Sequence, residues 1–378
     1  MSLRKKLIVM SLIATCMICG VIRAQVFGRT PNASADSISN GPKPHPENGV
    51  NALLHAFDRF RIVALGEAHP LQDEHQFILD LIRDPAFPEK ATDIVVEFGN
   101  ARYQDLVDGY VSGANVSLDE LKGTWQNTTQ PMAWDADCYQ TFFTAVRAVN
   151  QRLSPAKRLR VVLADPPIDW NAVHSLDDYF GWLLQRETNI GQVTIREVLE
   201  KPNRRAVMIF GSLHLIRQGP SNPFLNATGQ IEQRYPGSVF VVVPHLGFGS
   251  RNDELEPRLG SWNNNSLALV RNTWLGRLDP NLVIPVFIVG PDGNPINPFA
   301  GMQLEDVIDG YLYVGRKSDL SKSNVYPYIY RDAYWDELNR RNMILFGSPL
   351  DPKGGDFNLS VRFWSLNDPL PPTPLAKE

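Results

Sequence analysis

Two short motifs that combine glycine with histidine are the segments of this sequence best suited to chemistry. Residues 66–69 read Gly-Glu-Ala-His, and residues 211–214 read Gly-Ser-Leu-His. Each motif follows an apolar run, and runs of this kind are typical of strands buried on both faces of a parallel sheet. Loops that follow parallel strands converge at one edge of the sheet, where ligands bind. We therefore expect His69 and His214 to meet in one site.

Further polar residues fall where other predicted strands end. Glu97 and Asp165 each end an apolar run, His245 follows another, and Glu74 and His75 begin the first predicted helix. A carboxylate at the end of an apolar strand must be paired or reach solvent, because burying a bare charge is costly. Two histidines that converge on Glu97 meet that need and provide a general acid–base group.

Each of these residues also has a purely structural interpretation. A histidine after a strand often caps the next helix, Glu67 can hold its loop through an ion pair, and Glu97 can cap the following helix. His245 lies in Pro-His-Leu-Gly, which is compatible with a simple turn. His55 and His174 lie in apolar helical contexts, where we expect structural roles. Taken as a set, the residues at the strand ends favour a functional site.

Several familiar motifs are missing from the sequence. Residues 247–249 (Gly-Phe-Gly) lack the Lys and Ser or Thr of a phosphate-binding loop, and no Gly-x-Ser-x-Gly nucleophile motif occurs. His69 and His75 are too far apart for the His-Glu-x-x-His zinc helix. No Cys-x-x-Cys-His motif occurs, so any haem would bind without covalent attachment. Cys138 is the only cysteine after the apolar N-terminal segment, and we expect it to be a small buried residue.

The composition and the N-terminus indicate an exported globular protein. The chain has 378 residues, of which 43% are hydrophobic and 21% are charged, and its net charge of −4 argues against nucleic-acid binding. Basic residues at positions 4–6 precede an apolar run over residues 7–22, and Ala24 is a small residue suited to cleavage. This pattern predicts a signal peptide over residues 1–24 and a periplasmic or secreted protein with no membrane span after cleavage. An uncleaved membrane anchor is the alternative.

The rest of the chain divides into a linker, one domain and a tail. Residues 25–48 predict a flexible linker, residues 49–350 a single α/β domain, and residues 351–378 an irregular proline-rich tail. Within the domain, apolar runs alternate with amphipathic stretches, which predicts an open, mainly parallel sheet flanked by helices. The predicted strands are residues 61–65, 93–97, 160–165, 206–210, 239–243 and 283–289, and the clearest helices are 74–83 and 139–152.

The segment of about residues 100–137 interrupts this alternation. We expect it to be a helical insertion that forms a cap near the carboxyl ends of the strands. It contains Arg102, Tyr103, Trp125 and Trp134, which would shape a pocket and exclude water.

The two motifs, with a glutamate between them at a strand end, resemble a superfamily that includes erythromycin esterases, haem-binding ChaN-like proteins and Tiki/TraB proteases. The resemblance rests on residues 66–69, on Glu97 in Val-Val-Glu-Phe, and on residues 211–214. It covers residues 51–247 well and the C-terminal third loosely. Ala68 stands where the esterases usually have Thr, and residues 70–72 (Pro-Leu-Gln) stand where ChaN-like proteins have Asp-Asn-Pro.

The resemblance implies different roles for the same residues in different branches. In an esterase, His69 would be the general base, supported by Glu67, Glu97 and His214. In a protease-like member, His69, Glu97 and His214 would bind a divalent metal that lowers the pKa of its water. In a ChaN-like member, the fold would bind haem without catalysis.

Our leading hypothesis is therefore a hydrolase in which His69 activates water for attack on an ester or amide-like bond of a small molecule or a peptide. Supporting or binding roles fall to His75, Glu74, Arg102, Asp165 and His245. A haem- or porphyrin-binding protein without catalysis is the alternative, and an inactive member of the superfamily is a third. The cofactor, a divalent metal, haem or none, and the oligomeric state stay open at this point.

Overall fold

A large mixed sheet forms the centre of the molecule. The computed structural model describes residues 41–219, 225–245, 255–284, 288–289, 295–325, 330 and 332–350. In chain order its strands are β1 (Glu47–Asn48), β2 (Ile62–Glu67), β3 (Asp93–Asn100), β4 (Arg160–Asp165), β5 (Ala206–Gly211), β6 (Val239–Pro244), β7 (Ser266–Leu269), β8 (Ile288–Val289), β9 (Pro295–Ile296) and β10 (Gly310–Tyr313). Eight of them form one sheet in the order β1-β7-β10-β6-β2-β5-β3-β4.

The strands from β10 to β4 in this order are parallel, and β7 pairs antiparallel with both β10 and β1. The parallel strands are apolar because both of their faces are covered. In β2, Val63 and Leu65 pack into one hydrophobic core, whereas Ile62 and Ala64 pack into a second core on the opposite face. The predicted α/β fold with a mainly parallel sheet is confirmed.

Helices cover both faces. In chain order they are α1 (Gly49–Ala56), α2 (Gln72–Arg83), α3 (Phe87–Lys90), α4 (Gln104–Ser112), α5 (Leu118–Gln126), α6 (Asp137–Asn150), α7 (Leu176–Leu183), α8 (Arg186–Thr194), α9 (Ser212–Leu215), α10 (Ala227–Arg234), α11 (Glu256–Leu259), α12 (Leu304–Val307) and α13 (Asp332–Phe346). The amphipathic pattern of α2 and α6 places Phe77, Ile82, Phe142 and Val146 in the first core.

Two predictions about the elements are wrong. The end of the predicted linker is folded, because β1 pairs with β7 and the amide of Trp274 donates to the carbonyl of Pro42 at 2.9 Å. The predicted strand over residues 283–289 does not join the large sheet, because β8 pairs with β9 in a separate two-stranded sheet. The predicted signal peptide and tail, residues 25–40 and residues 247–249 lie outside the described residues.

The predicted insertion is helical, and its parts lie in two places. Helices α4 and α5 pack on one face of the sheet, where Val107, Leu121 and Trp125 join the first core. Residues 127–136, which follow α5, lie at the carboxyl ends of the strands, as the contacts of Thr129 and Trp134 described below show. In the part of the chain that the structure describes, no helix is long and apolar enough to cross a membrane.

Candidate active site

The candidate site lies where β2, β5 and β3 end side by side. Glu67 at the end of β2 is in register with Gly211 at the end of β5. The amide of Gly211 donates to Glu97 Oε2 at 2.5 Å, which joins the second motif to β3. β3 continues to Asn100, with a register shift against β4 after Val96, so Glu97 lies inside the strand and not at its end. The structure thus brings the predicted residues Glu67, Glu97, His69 and His214 together.

His69 lies between two carboxylates. Its Nδ1 is 3.2 Å from Glu67 Oε1, and its Nε2 is 3.6 Å from Glu97 Oε2. Its ring packs edge-on against Trp134, with the ring centroids 4.6 Å apart. The side chain of His69 is 30% exposed, compared with 9% for His214 and 3% for Glu97. His69 is therefore the member of the group best placed to meet a substrate.

Both glycines of the motifs are needed for this close approach. A Cβ added at Gly211 would lie 3.0 Å from His69 Nε2 and 3.4 Å from Glu97 Oε2. A Cβ added at Gly66 would lie 2.4 Å from Ser212 Oγ. The spacing of glycine and histidine in the motifs thus reflects two strand ends that pack directly against the site.

Glu67 is held from the helix side. Its Oε1 accepts hydrogen bonds from His75 Nε2 at 2.7 Å and from the hydroxyl of Tyr139 at 2.9 Å. Tyr139 comes from α6 and His75 from the first turn of α2. These bonds place the Glu67 carboxylate next to His69, so the predicted supporting role of His75 becomes a contact with Glu67.

The loop that contains His69 pairs through its backbone with a segment from the C-terminal third of the chain. Leu71 forms an isolated antiparallel bridge with Lys322. The amide of Gln72 donates to the carbonyl of Ser321, and the amide of Ser323 donates to the carbonyl of Pro70, both at 2.9 Å. The segment that directly follows His69 is therefore held in place by backbone hydrogen bonds to residues 321–323.

Arg186 and Glu187, at the start of α8, complete the site, and the sequence did not single them out. Arg186 Nη2 donates to Glu97 Oε1 at 2.7 Å, and Nε donates to Asp165 Oδ1 at 2.9 Å. Glu187 Oε1 forms a short hydrogen bond with His214 Nδ1. A cation in the first turn of a helix opposes the helix dipole, and this misplacement is the one signal that could have identified Arg186.

Asp165 acts through Arg186. It is buried at the end of β4, where the amide and the hydroxyl of Thr129 both donate to it at 2.6 Å. Asp165 therefore ties residues 127–136, which also contain Trp134, to the arginine that holds Glu97.

The remaining predicted residues lie elsewhere or play another part. His245 is buried in a second cluster, where its Nδ1 contacts the hydroxyl of Tyr311 at 2.5 Å and its Nε2 contacts Glu256 Oε1 at 3.0 Å. Arg102 pairs with Asp169 at 3.1 Å and lines a polar cleft that follows the ends of β3 and β4. Glu74 is fully buried next to the first motif.

The charges of the site stabilise one another. Burial alone would raise the pKa of Glu67, but His69 and His75 outweigh it and lower this pKa to about 2. The pKa of Glu97 is likewise well below its usual value despite burial, because of His214, Arg186 and His69. Burial disfavours the charged histidines, but the flanking carboxylates raise the pKa of His69 and raise that of His214 to about 10. At neutral pH His214 is therefore an imidazolium group that contacts the carboxylates of Glu187 and Glu97.

The residues predicted as metal ligands do not fit a divalent metal. Glu97 Oε1 already contacts Arg186 and His214, and Arg186 Nη1 lies 3.2 Å from His214 Nε2, where a metal would meet a fixed positive charge. Among the described residues, no group of three or more His, Cys, Asp and Glu side chains is arranged to hold a metal ion.

Haem does not fit His214 either. An axial ligand offers iron a nitrogen that carries no proton. Both ring nitrogens of His214, which is buried, contact the carboxylates of Glu187 and Glu97.

Comparison with known proteins supports the fold. No protein-family model matches the sequence, and no curated protein matches it. A succinoglycan biosynthesis protein is similar in structure, with a TM-score of 0.51, 10% identity, and coverage of 78% of this chain and 100% of that chain. A Bacillus cereus protein has a TM-score of 0.48, 12% identity, and coverage of 78% of this chain and 100% of its own.

An erythromycin esterase is also among the similar structures. This structure is a histidine-to-asparagine mutant of EreC in its open conformation, with a TM-score of 0.47 and 12% identity over 73% of this chain and 94% of that chain. At these identities the likenesses concern the fold alone.

Proposed function

We propose that this protein is an exported hydrolase in which His69 takes a proton from a water molecule that attacks an ester or amide-like bond. The observation that carries the proposal is the position of His69. It is a partly exposed imidazole, and it lies 3.2 Å and 3.6 Å from two buried carboxylates. Carboxylates on both sides stabilise the imidazolium that forms when the ring accepts a proton.

The two carboxylates favour the protonated form of His69 in the free site, because they raise its pKa against the effect of burial. His69 must therefore lose this proton before it can act as a base. The deprotonated ring then takes a proton from water, and the water oxygen bonds to the carbonyl carbon. As the bond to the leaving group breaks, His69 returns its proton to the leaving oxygen or nitrogen, and the ring is neutral again.

The buried groups orient His69 and need not touch the substrate. The Glu67 carboxylate lies 3.2 Å from Nδ1 and the Glu97 carboxylate 3.6 Å from Nε2, while Arg186 and His214 keep Glu97 ionised and in place. Trp134 packs on the ring and limits its rotation. A positioned histidine of this kind contributes roughly 10²–10⁴-fold to a rate.

Substrates of two kinds are consistent with this chemistry, namely small-molecule esters and peptides. The cleft that contains Arg102 and Asp169 follows the ends of β3 and β4 and offers charged and polar groups. Export rests on the basic and apolar N-terminal pattern. It predicts that the mature chain recovered from a secretion-competent host begins at Gln25, which mass spectrometry of its N-terminal peptide would test.

The experiment for hydrolysis compares His69→Gln with wild type on a panel of chromogenic esters, lactones and anilides. We expect the wild type to hydrolyse at least one class and His69→Gln to lose about 10²-fold or more of that activity while it stays folded. His55→Gln is the matched control, because His55 is exposed on α1, and it should keep full activity. Equal rates in His69→Gln and wild type would exclude His69 as the base.

A further inference from the structure

Two buried carboxylate oxygens beside the first motif have no hydrogen-bond partner among the described residues. They are Glu67 Oε2 and Glu74 Oε1. Both residues are buried, with 3% of Glu67 and none of Glu74 exposed. A buried acceptor that lacks a donor costs about 1–3 kcal/mol, and more when it is charged. Each of these oxygens therefore needs a hydrogen-bond donor.

The other oxygen of each carboxyl group is already engaged. Glu67 Oε1 accepts from His75 and Tyr139, and Glu74 Oε2 accepts from the amide of Ala68 at 2.8 Å. Ala68 directly follows Glu67 and directly precedes His69. The bond to its amide therefore brings the Glu74 carboxyl group to the backbone that joins Glu67 to His69.

One proton would satisfy both unpartnered oxygens, because a carboxylic acid can donate to a carboxylate. We propose that Glu74 is a positioning residue whose neutral carboxylic acid donates from Oε1 to Glu67 Oε2, directly or through one bound water, while its Oε2 holds the Ala68 amide. Glu74 would then fix the Glu67 carboxylate and the backbone before His69 at the same time. Its effect on turnover rests on the proposed function, whereas its protonation does not.

The charges around Glu74 agree with this assignment of the proton. Burial, together with the nearby Glu67 charge, raises the pKa of Glu74 to about 8, although the Ala68 amide, His75 and His69 act in the opposite direction. Glu67 keeps a pKa of about 2 because His69 and His75 outweigh its burial. The groups that face the pair are Glu67 from β2, His69 from the following loop, His75 from α2, and Tyr139 and Cys138 from α6.

The sign of the pH effect follows from these values. An acid whose pKa is higher in the folded protein stabilises the fold below its unfolded pKa of 4.5, and this stability is lost as pH rises towards about 8. Unfolding of the wild type between pH 5 and pH 8 should therefore release one proton from Glu74. Glu74→Gln keeps a donor for Glu67 and an acceptor for Ala68 but cannot release that proton.

The test is denaturant unfolding of the full chain from pH 5 to pH 9. Between pH 5 and pH 8 we expect Glu74→Gln to release about one proton fewer than wild type, and this difference should disappear towards pH 9. Asp80→Asn, at an exposed neighbour on α2, should keep the wild-type dependence. Glu74→Leu removes both hydrogen bonds and should lower kcat about tenfold or more with little change in KM, because His69 loses its alignment. Glu74→Gln should lose less of kcat than Glu74→Leu.

Distinct results separate this inference from the proposed function. If wild type hydrolyses nothing, the proposed function fails and the unfolding comparison still decides the protonation of Glu74. An identical pH dependence of unfolding in Glu74→Gln and wild type would overturn the inference. If Glu74→Gln does not fold, infrared spectra of wild type decide instead. The inference requires a carbonyl band of a buried carboxylic acid at pH 7 that disappears above pH 8, and its absence refutes it.

Discussion

Gly211→Ala perturbs the site directly and leaves the backbone unstrained. Gly211 has a φ of −49° and a ψ of 134°, which alanine adopts readily. The added Cβ would lie 3.0 Å from His69 Nε2, about 0.5 Å or more inside the optimal separation of roughly 3.5–4.0 Å. His69 is partly exposed and can move, so we expect the imidazole to shift by about half an ångström away from Glu97.

The expected cost follows from the size of this shift. Since a misplacement of about 1 Å can cost 10²-fold in rate, half of it should lower kcat/KM about tenfold. The free energy of unfolding should change by less than about 1 kcal/mol. Steady-state hydrolysis of the best ester and urea unfolding measure the two effects.

Gly181→Ala is the matched control. A Cβ at Gly181 meets nothing within 4 Å, and alanine favours its helix by about 1 kcal/mol, so its activity should equal that of wild type. Wild-type kcat/KM in folded Gly211→Ala would refute the close packing of His69 against the second motif. A loss of several kcal/mol in stability would show that the Cβ disturbs the sheet and not the imidazole.

Two further predictions concern the buried charges. Arg186→Leu leaves Glu97 and Asp165 without their shared cation. It should lower the free energy of unfolding, measured with urea at pH 7, by about 3–5 kcal/mol. A change below about 0.5 kcal/mol would contradict the charge network. Glu67 has a folded pKa of about 2 against 4.5 unfolded, so its contribution is present above pH 4.5 and is lost as pH falls towards 2. Acid unfolding should therefore be shallower in Glu67→Gln than in wild type, and equal slopes would show that Glu67 is not held ionised.

Local pattern was sufficient to predict the strands that carry the site. The run before Gly66 and the run before Gly211 are β2 and β5, and Glu97 and Asp165 lie on β3 and β4 as expected. The carboxyl ends of parallel strands converge at one edge of the sheet, so this convergence could be predicted without knowing which strands are neighbours.

What the sequence could not predict depends on contacts between distant segments. Arg186 reaches Glu97 from a helix 89 residues away, and no local motif records such a pairing. Ile288 and Val289 are apolar and β-branched like the core strands, yet they pair with β9 outside the large sheet. Glu47 and Asn48 follow a proline-rich stretch, and their local sequence predicts a linker. In the structure they form an edge strand that pairs with β7.

The pH dependence of kcat/KM tests the central role of His69 most directly. We predict that kcat/KM rises with pH through a pKa above that of a free histidine, because Glu67 and Glu97 favour the protonated form of His69 and only its deprotonated form accepts a proton from water. The residual activity of His69→Gln should lack this rise. A rate that falls as pH increases through this range, or a rise that persists unchanged in His69→Gln, would contradict the role of His69 as the base.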